Sequence, residues 1–209
     1  MLIDTTSPTF DWRKAYKLFL GFVNPRPIAL VSTISPDGRH NLAPYSFFNM
    51  VSANPPIVFF SAALSRGREQ KHSLINAQAT GEFVIATVTE KIAPQMVRCG
   101  ADLPYGESEF DFSGLTPTAA RFVKAPLVKE AAVNIECKLR QVISLGDTPG
   151  SGQMVLGEII AAHIDDAILK PAGDAIDPLK IRTVGRLGEA YYTTVDRAFE
   201  LHIPGVGGG

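Results

Sequence analysis

The chain has 209 residues, and 45% of them are hydrophobic, which is enough for the core of one compact domain with appendages. Its 20 Lys and Arg residues nearly balance its 21 Asp and Glu residues, so the formal net charge is −1. This balance gives no reason to expect nucleic acid or an anionic membrane as a partner, and any anion must be bound by a local cluster.

The N-terminus has neither the basic start nor the long apolar core of a signal peptide. No apolar run is long enough to span a bilayer, so we expect a cytoplasmic protein that does not contact membranes. The two cysteines, Cys99 and Cys137, form no CxxC pair and have no neighbouring His cluster. This pattern argues against a zinc site and favours buried free thiols in a reducing compartment.

A short helix is predicted after Asp11, whose carboxylate can cap its first turn. Trp12, Tyr16 and Phe19 follow at helical spacing and give the helix one apolar side. We expect this side to pack against the rest of the protein. The alternative is that one of its aromatic rings covers the edge of a bound ligand.

The most informative stretch of the chain is Asn24–Ser73. Residues 27–34 are apolar and β-branched and predict a covered strand, and residues 35–38 supply the turn of a hairpin. The returning segment 41–49 mixes aromatic, hydroxyl and amide residues, and Pro44 within it cannot donate to a β-ladder. We therefore interpret segment 41–49 as a loop that presents backbone groups to a planar heterocycle.

A second apolar strand is predicted over residues 57–61, and a group of cations, an imidazole and a hydroxyl follows it at a predicted helix start. Such groups, together with free helix amides, can hold a phosphate. Two alternatives stay open: Arg66 and Arg68 are solvated loop charges, and residues 45–47 are barrel core. The candidate cofactor-binding residues are Arg26, Pro44, Tyr45, Ser46, Phe47, Asn49, Ser52, Ser61, Arg66, Lys71, His72 and Ser73.

The middle of the chain alternates helix and strand. A helix is predicted over residues 73–80 and ends at Gly81, and a β-branched strand over residues 82–88 follows. A second helix, capped by Thr89, is predicted from residue 90 towards residue 100. Its expected buried residues are Ile92, Met96 and Val97. Residues 101–126 are rich in turn formers and predict an excursion over the surface.

The last third is predicted to be β-rich. Residues 133–140 alternate apolar and polar side chains, which predicts a strand with one solvated face, including Asn134 and Glu136. Residues 147–152 form a hairpin loop, and residues 154–164 return as a second strand. Further expectations are a short segment returning towards the ligand at Arg186-Leu187-Gly188 and Tyr191-Tyr192, an edge strand over 199–204, and a mobile glycine-rich tail over 205–209.

Several of these segments together resemble the flavin reductase-like family, in its flavoredoxin branch of the FMN-binding split barrels. The segments are Arg26–Thr33, Asn41–Asn49, Ser52 with Pro55-Pro56, and Lys71-His72-Ser73, with a weaker match through to Gly185–Gly188 and Tyr191. Many relatives carry an acid where this chain has His72, which leaves the detailed role of that residue at the phosphate open.

The resemblance implies a mainly β fold, a closed six-stranded Greek-key split barrel with a few helices, as a single domain over residues 1–209. It also implies a homodimer with FMN at the dimer interface. The implied activity is that of a flavin reductase, in which NADH or NADPH passes a hydride directly to FMN. No catalytic side chain is then required, because the flavin carries the chemistry and the protein binds and orients the two rings.

Other catalytic motifs are absent from the sequence, including the P-loop, HExxH, GxSxG and strand-helix GxGxxG patterns. His40, His163 and His202 are interpreted as surface or strand-packed residues. Three functions remain open: a nicotinamide-dependent flavin reductase whose reduced flavin serves a partner oxygenase or another acceptor, an FMN electron-transfer protein reduced by another protein, and a non-enzymatic flavin- or haem-binding barrel.

Overall fold

The computed structural model describes residues 1–203 and shows a mainly β protein. The helices are α1 (Trp12–Phe22), α2 (His72–Thr80), α3 (Ala93–Arg98), α4 (Glu109–Ser113) and α5 (Pro178–Ile181), with 3-10 turns at Glu90–Ile92 and Asp166–Ile168. The strands are β1 (Arg26–Pro27), β2 (Ala29–Ile34), β3 (His40–Tyr45), β4 (Phe48–Ala53), β5 (Pro56–Ala63), β6 (Glu82–Thr87), β7 (Pro117–Thr118), β8 (Leu127–Val128), β9 (Val133–Ser144), β10 (Gly152–Ile164), β11 (Val184–Arg186) and β12 (Tyr192–Thr194). Among these residues no helix is both long and apolar enough to cross a membrane.

The main sheet is antiparallel and has the strand order β3-β2-β6-β9-β10-β5-β4. Its two edge strands, β3 and β4, are joined by only Ser46 and Phe47. Three Cα steps span at most about 11 Å, so the sheet must curl until its edges meet. The backbone amide of Ser61 in β5 donates to the carbonyl of Phe47 at 2.9 Å, which ties this junction to the barrel wall.

The mainly β split-barrel fold is therefore confirmed, but the main sheet contains seven strands rather than six. A loop was expected over residues 41–49, but these residues instead form β3 and the start of β4. Pro44 is compatible with β3 because this strand lies at the sheet edge, where one side of the strand needs no hydrogen-bond partner.

The core fills the barrel with aromatic and branched residues. Phe60 of β5 and Phe83 of β6 are fully buried, and their ring centroids lie 5.3 Å apart in an edge-to-face arrangement. Gly157 of β10 lies against Phe83, where an added Cβ would come within 2.3 Å of the ring. Cys99 and Cys137 are buried free thiols, as expected.

A small sheet with the order β1-β11-β12 lies beside α1 and is tied to it by Arg26. The Arg26 guanidinium is buried and donates to the carbonyls of Leu20 at 2.8 Å, Val23 at 2.6 Å and Leu187 at 2.7 Å. The end of α1 and the chain after β11 are thus held to β1. Arg186 pairs with Arg26, so the late segment returns to the beginning of the Asn24–Ser73 stretch.

The apolar side of α1 is not packed as expected. Asp11 does cap the helix by accepting from the amide of Arg13 at 2.9 Å, but Trp12 is 40% exposed and Tyr16 is 43% exposed. Ala15 is the only buried α1 residue. The helix periodicity was predicted correctly, but within residues 1–203 the contacts of Trp12 with the loop at Gly150 and of Tyr16 with Phe47 cover this face only in part.

The predicted solvated face of β9 is partly wrong. Glu136 is fully buried because the excursion over residues 101–126 folds back onto this face, and Asn134 is almost fully buried against the backbone of Val128. The Glu136 carboxylate accepts from the amides of Arg121 at 3.0 Å, Phe122 at 2.6 Å and Val123 at 3.0 Å. A polar residue in an alternating pattern can therefore be buried when it binds the backbone of a covering segment.

Two smaller expectations are also corrected. Val97 of α3 is 53% exposed, whereas Ile92 and Met96 are buried as predicted. Residues 199–203 form no strand, because they pair with no other part of the described chain. Pro204 and the tail over residues 205–209 lie outside the described residues.

Candidate functional site

The first candidate site is a cavity of about 210 Å³ at the start of α2, called here the α2 cavity. It contains five of the residues predicted from the sequence. They are Pro44, Tyr45, Lys71, His72 and Ser73, and they are joined there by Asn41, Ser65, Glu109 and the chain from Cys99 to Leu103.

The start of α2 presents free backbone donors to this cavity. Lys71 is the N-cap residue, and its carbonyl accepts from the amides of Leu74 at 2.9 Å and Ile75 at 3.1 Å. The amides of His72 and Ser73 have no hydrogen-bond acceptor among the described residues. No side chain caps this end of the helix, so the positive end of the helix dipole faces the cavity.

Ser73 is held in place by a buried polar network. Its Oγ accepts from Asn41 Nδ2 at 2.9 Å, and both side chains are buried. One turn later, Asn76 Nδ2 donates to Thr33 Oγ1 at 3.2 Å, and the Tyr105 hydroxyl donates to Asn76 Oδ1 at 2.9 Å. The hydroxyl at the helix start is therefore fixed to strands β2 and β3.

Lys71 and His72 differ in their freedom. Lys71 Nζ lies 3.6 Å from the Asp102 carboxylate, but both side chains are strongly exposed, so this ion pair is weak and the ammonium can turn to another anion. Burial and the neighbouring Lys71 ammonium lower the pKa of His72, against the opposing effect of Asp102. The imidazole packs edge-to-face on Tyr105, with centroids 5.0 Å apart.

Burial also raises the pKa of three other groups of the α2 cavity, Tyr45, Cys99 and Glu109. Burial raises the pKa of Tyr45 to about 12, and its ring packs on Phe60 with centroids 4.9 Å apart. Burial raises the pKa of Cys99 to about 11. Burial also raises the pKa of Glu109, whose carboxylate accepts from the amide of Leu42 at 2.8 Å.

A second, larger cavity of about 820 Å³ lies along the junction of β3 and β4 and is called here the barrel-edge cavity. It contains the predicted residues Arg26, Ser46, Phe47, Asn49 and Ser61. Its wall is apolar and open, and Phe22, Val23, Met50, Val51 and Leu145 are each at least half exposed there. Tyr45 lines the α2 cavity and Ser46, the next residue, lines this one, so the two cavities border consecutive residues at the end of β3.

A third cavity, of about 600 Å³, lies between α1 and the loop after β5 and is called here the α1 cavity. Its lining includes Trp12 and Tyr16 of α1, Arg66, and Arg186 at the end of β11. The sequence placed Arg66 with Lys71, but the structure places Arg66 in the α1 cavity. Ser65, immediately before it, lines the α2 cavity.

Two other predicted residues have internal partners. Arg26 donates to three carbonyls, so its charge is engaged within the protein. The Ser52 hydroxyl donates to the carbonyl of Pro55 at 2.6 Å, which closes the turn between β4 and β5. Sequence reasoning missed Asn41 and Glu109, because their places in the α2 cavity depend on contacts with α2 and α4 that local pattern does not reveal.

The family model described as "Flavin reductase like domain" matches residues 22–179. An uncharacterised protein of Aquifex aeolicus is 41% identical over 182 residues, which cover 87% of this chain and 90% of that protein. Two solved structures are also similar over nearly the whole chain.

Nitrilotriacetate monooxygenase component B from Bacillus cereus has a TM-score of 0.88 and 31% identity, covering 96% of this chain and 99% of that one. The 2-nitrobenzoate 2-nitroreductase of Pseudomonas fluorescens has a TM-score of 0.87 and 29% identity, covering 100% of this chain and 99% of that one.

Proposed function

This chain belongs to the flavin reductase-like family, and on that premise we propose that it is an FMN-dependent oxidoreductase that takes a hydride from NADH or NADPH. The observation that carries the proposal is the group of hydrogen-bond donors at the start of α2. Two free amides, the Lys71 ammonium and the fixed Ser73 hydroxyl meet in a cavity that leads onto the edge of the barrel. This donor set suits a terminal monophosphate, which FMN has and riboflavin lacks.

The residues present fit a bound FMN. Lys71, His72 and Ser73 would hold the phosphate, and residues 44–47 would present backbone and aromatic groups to the ring system. The flavin, when bound, supplies the hydride chemistry. The size of the α2 cavity, about 210 Å³, supports a phosphate and its neighbouring chain there, while the barrel-edge cavity offers room for the rings.

The raised pKa values of Tyr45 and Cys99 support the proposal that neither side chain takes part in the hydride transfer. The pKa of Tyr45 is raised to about 12, the pKa of Cys99 is raised to about 11, and Glu109 is bonded to the backbone. Tyr45 and Cys99 are therefore not poised to exchange a proton near neutral pH. The protein would then bind the flavin in a fixed orientation and leave one face of its ring open to the nicotinamide.

We further propose that residues 1–209 form one domain and that the protein is a homodimer with the flavin at its interface. The barrel-edge cavity supports this, because its apolar rim is exposed in the single chain and would leave a bound ring in contact with water on one side. The buried free thiols Cys99 and Cys137 support a cytoplasmic location.

A partner oxygenase is the acceptor that we propose for the reduced flavin. The proposal rests on the similar protein from Bacillus cereus, which is named as component B of a monooxygenase. A nitroaromatic acceptor is the alternative, since the similar Pseudomonas fluorescens protein is a nitroreductase. Assays of the reduced protein with 2-nitrobenzoate and with flavin-dependent oxygenases separate these acceptors.

Anaerobic rapid mixing of the FMN-loaded protein with NADH and with NADPH tests the proposed activity. A reductase bleaches its flavin absorbance rapidly with at least one of the two donors and without any other protein. Flavin that binds but stays oxidised with both donors would instead indicate an electron-transfer protein reduced by a partner, or a non-enzymatic flavin-binding barrel.

A further inference from the structure

The α1 cavity carries an excess of positive charge that the flavin site does not use. Four cations line it, namely Arg13, Lys17, Arg66 and Arg186, against the single carboxylate of Glu189. None of the four forms an ion pair with an acid within residues 1–203. In a chain with a net charge of −1, this local surplus marks a site for a small polyanion.

The contacts of Arg186 do not cancel the surplus positive charge of the α1 cavity. The Arg186 guanidinium donates to the Tyr192 hydroxyl and to the backbone carbonyl of Glu189, and it lies 4.4 Å from the centre of the Tyr192 ring. It therefore holds the Glu189 backbone and does not neutralise the Glu189 carboxylate. These contacts fix the guanidinium in place beside the cavity, where its positive charge can attract a phosphate.

The same cavity offers aromatic surface. Trp12 and Tyr16 are about two-fifths exposed, and their ring centroids are 6.4 Å apart. The Arg13 guanidinium lies over one face of the Trp12 ring, 4.7 Å from the ring centre. The loop at Gly150, where φ is +88°, lies nearest the outer atoms of the benzo ring, and an added Cβ would be 2.7 Å from Cη2. An exposed, positioned indole next to arginines is suited to stacking on a heterocyclic base.

The α1 cavity adjoins the proposed flavin site on two sides. Leu64 and Arg66 line the α1 cavity, while Ser65 between them lines the α2 cavity. The Tyr16 ring lies 6.5 Å from the Phe47 ring, and Phe47 lines the barrel-edge cavity. A ligand with one end over the flavin ring can therefore extend its other end to Trp12 and the cations.

We propose that the α1 cavity binds the phosphorylated adenosine end of the nicotinamide donor, and that its cations select a donor carrying a 2′-phosphate, which is NADPH. This inference rests on the proposed reductase function and adds its donor specificity. The 2′-phosphate adds about −1.5 to −2 charge near neutral pH, which the three-charge surplus of the cavity favours. The volume of about 600 Å³ lies within the usual range of about 300–1,000 Å³ for small-molecule sites.

The test is a calorimetric titration of the FMN-loaded protein with 2′,5′-ADP and with 5′-AMP at one fixed ionic strength. Loading with FMN first keeps either probe out of the α2 cavity. We expect 2′,5′-ADP to bind at least about tenfold more tightly than 5′-AMP, the scale of one added charge-assisted contact. Lys17→Ala and Arg66→Ala should each reduce this preference.

The matched control is Lys14→Ala, which removes the same charge from the same helix at a position outside the cavity. It should leave the preference unchanged. Equal affinity for the two probes, no binding of either, or equal effects of Lys14→Ala and Lys17→Ala would overturn the proposal.

Flavin bleaching by NADH and NADPH is then measured on the same samples. Bleaching by neither donor refutes the proposed reductase function, while the probe titration still reports on the cavity. Bleaching by both donors with equal efficiency leaves the reductase function standing and refutes the selection of NADPH.

Discussion

Asn41 Nδ2 donates to Ser73 Oγ at 2.9 Å, and this buried bond joins strand β3 to the first turn of α2. The two residues are 32 positions apart in the chain. Strand β3 would present groups to a flavin ring. Through this bond the same strand also fixes the Ser73 hydroxyl, which would contact the flavin phosphate. The two halves of the proposed site are therefore positioned by the same pair of side chains.

Replacing Asn41 should weaken FMN binding indirectly, because Asn41 holds the Ser73 hydroxyl in position. Asn41→Ala leaves the Ser73 hydroxyl without its buried donor, which typically costs about 1–3 kcal/mol of stability. We expect a lower midpoint of denaturation and a lower FMN affinity, measured by denaturant titration and calorimetry. An unchanged FMN affinity in a destabilised variant would show that Ser73 does not need this bond to bind the ligand.

The pH dependence of FMN binding should report on His72. In the free protein the pKa of His72 is lowered, so its imidazole is neutral at neutral pH. A phosphate dianion beside it would raise that pKa, and the stabilising charge would be lost as pH rises through the raised value. The second ionisation of the phosphate, near pH 6, acts in the opposite sense.

Titrating FMN between about pH 6 and pH 9 into the native protein and into His72→Asn separates these two effects, because the phosphate ionises alike in both. The native protein should lose more affinity on the alkaline side. Parallel profiles would show that His72 does not contact the phosphate.

Acid stability should depend on Glu136. Burial pushes the pKa of Glu136 up, but the bonds from His163 and from the amides of residues 121–123 outweigh it, so the pKa is lowered overall. The stability that these bonds provide is present above the unfolded pKa of a Glu, about 4.3, and is lost as pH falls through the lower folded value.

Glu136→Gln should therefore lower the free energy of unfolding near pH 7 by about 1–3 kcal/mol and flatten the loss of stability in acid. Glu107→Gln, at an exposed position, is the control and should change neither. Equal unfolding curves for the two variants at both pH values would contradict this account of the covering segment.

If the dimer forms through the barrel-edge cavity, a charge placed at that cavity should change the molecular mass of the protein in solution. Val51 is 56% exposed at that cavity, and Val97 is 53% exposed on α3, away from it. Val51→Glu should shift the protein from a dimer to a monomer of 22.5 kDa and lower its flavin affinity, whereas Val97→Glu should do neither. Light scattering of the native protein checks the starting state, and a monomer that keeps FMN would refute the proposed interface.

Features set by a few neighbouring residues could be predicted from the sequence. Asp11 caps α1, Gly38 lies in the β2–β3 turn with φ +89°, and Gly81 ends α2 with φ +71°. A positive φ favours glycine at positions 38 and 81, and the free amide at the start of α1 favours a capping residue such as Asp11. Lys71, His72 and Ser73 were likewise placed correctly at a helix start.

Features set by distant partners could not be predicted. The burial of Glu136 depends on the amides of residues 121–123, and the place of Arg66 beside α1 depends on how that helix docks. The exposed rings of Trp12 and Tyr16 have the periodicity of a core-facing helix side, and nothing in their spacing distinguishes an internal partner from a ligand or a second chain.

The most direct test of the proposed site compares FMN and riboflavin binding to the native protein and to Lys71→Ala. These ligands share the ring system and differ in the phosphate. A charge-assisted phosphate contact is worth about 1.5–3 kcal/mol, so the variant should lose roughly tenfold to a hundredfold in FMN affinity and almost none in riboflavin affinity. Lys129→Ala, which removes an exposed lysine elsewhere, should leave both affinities unchanged. Equal weakening of FMN and riboflavin by Lys71→Ala, or no weakening of either, would contradict the assignment of the α2 cavity to the flavin phosphate.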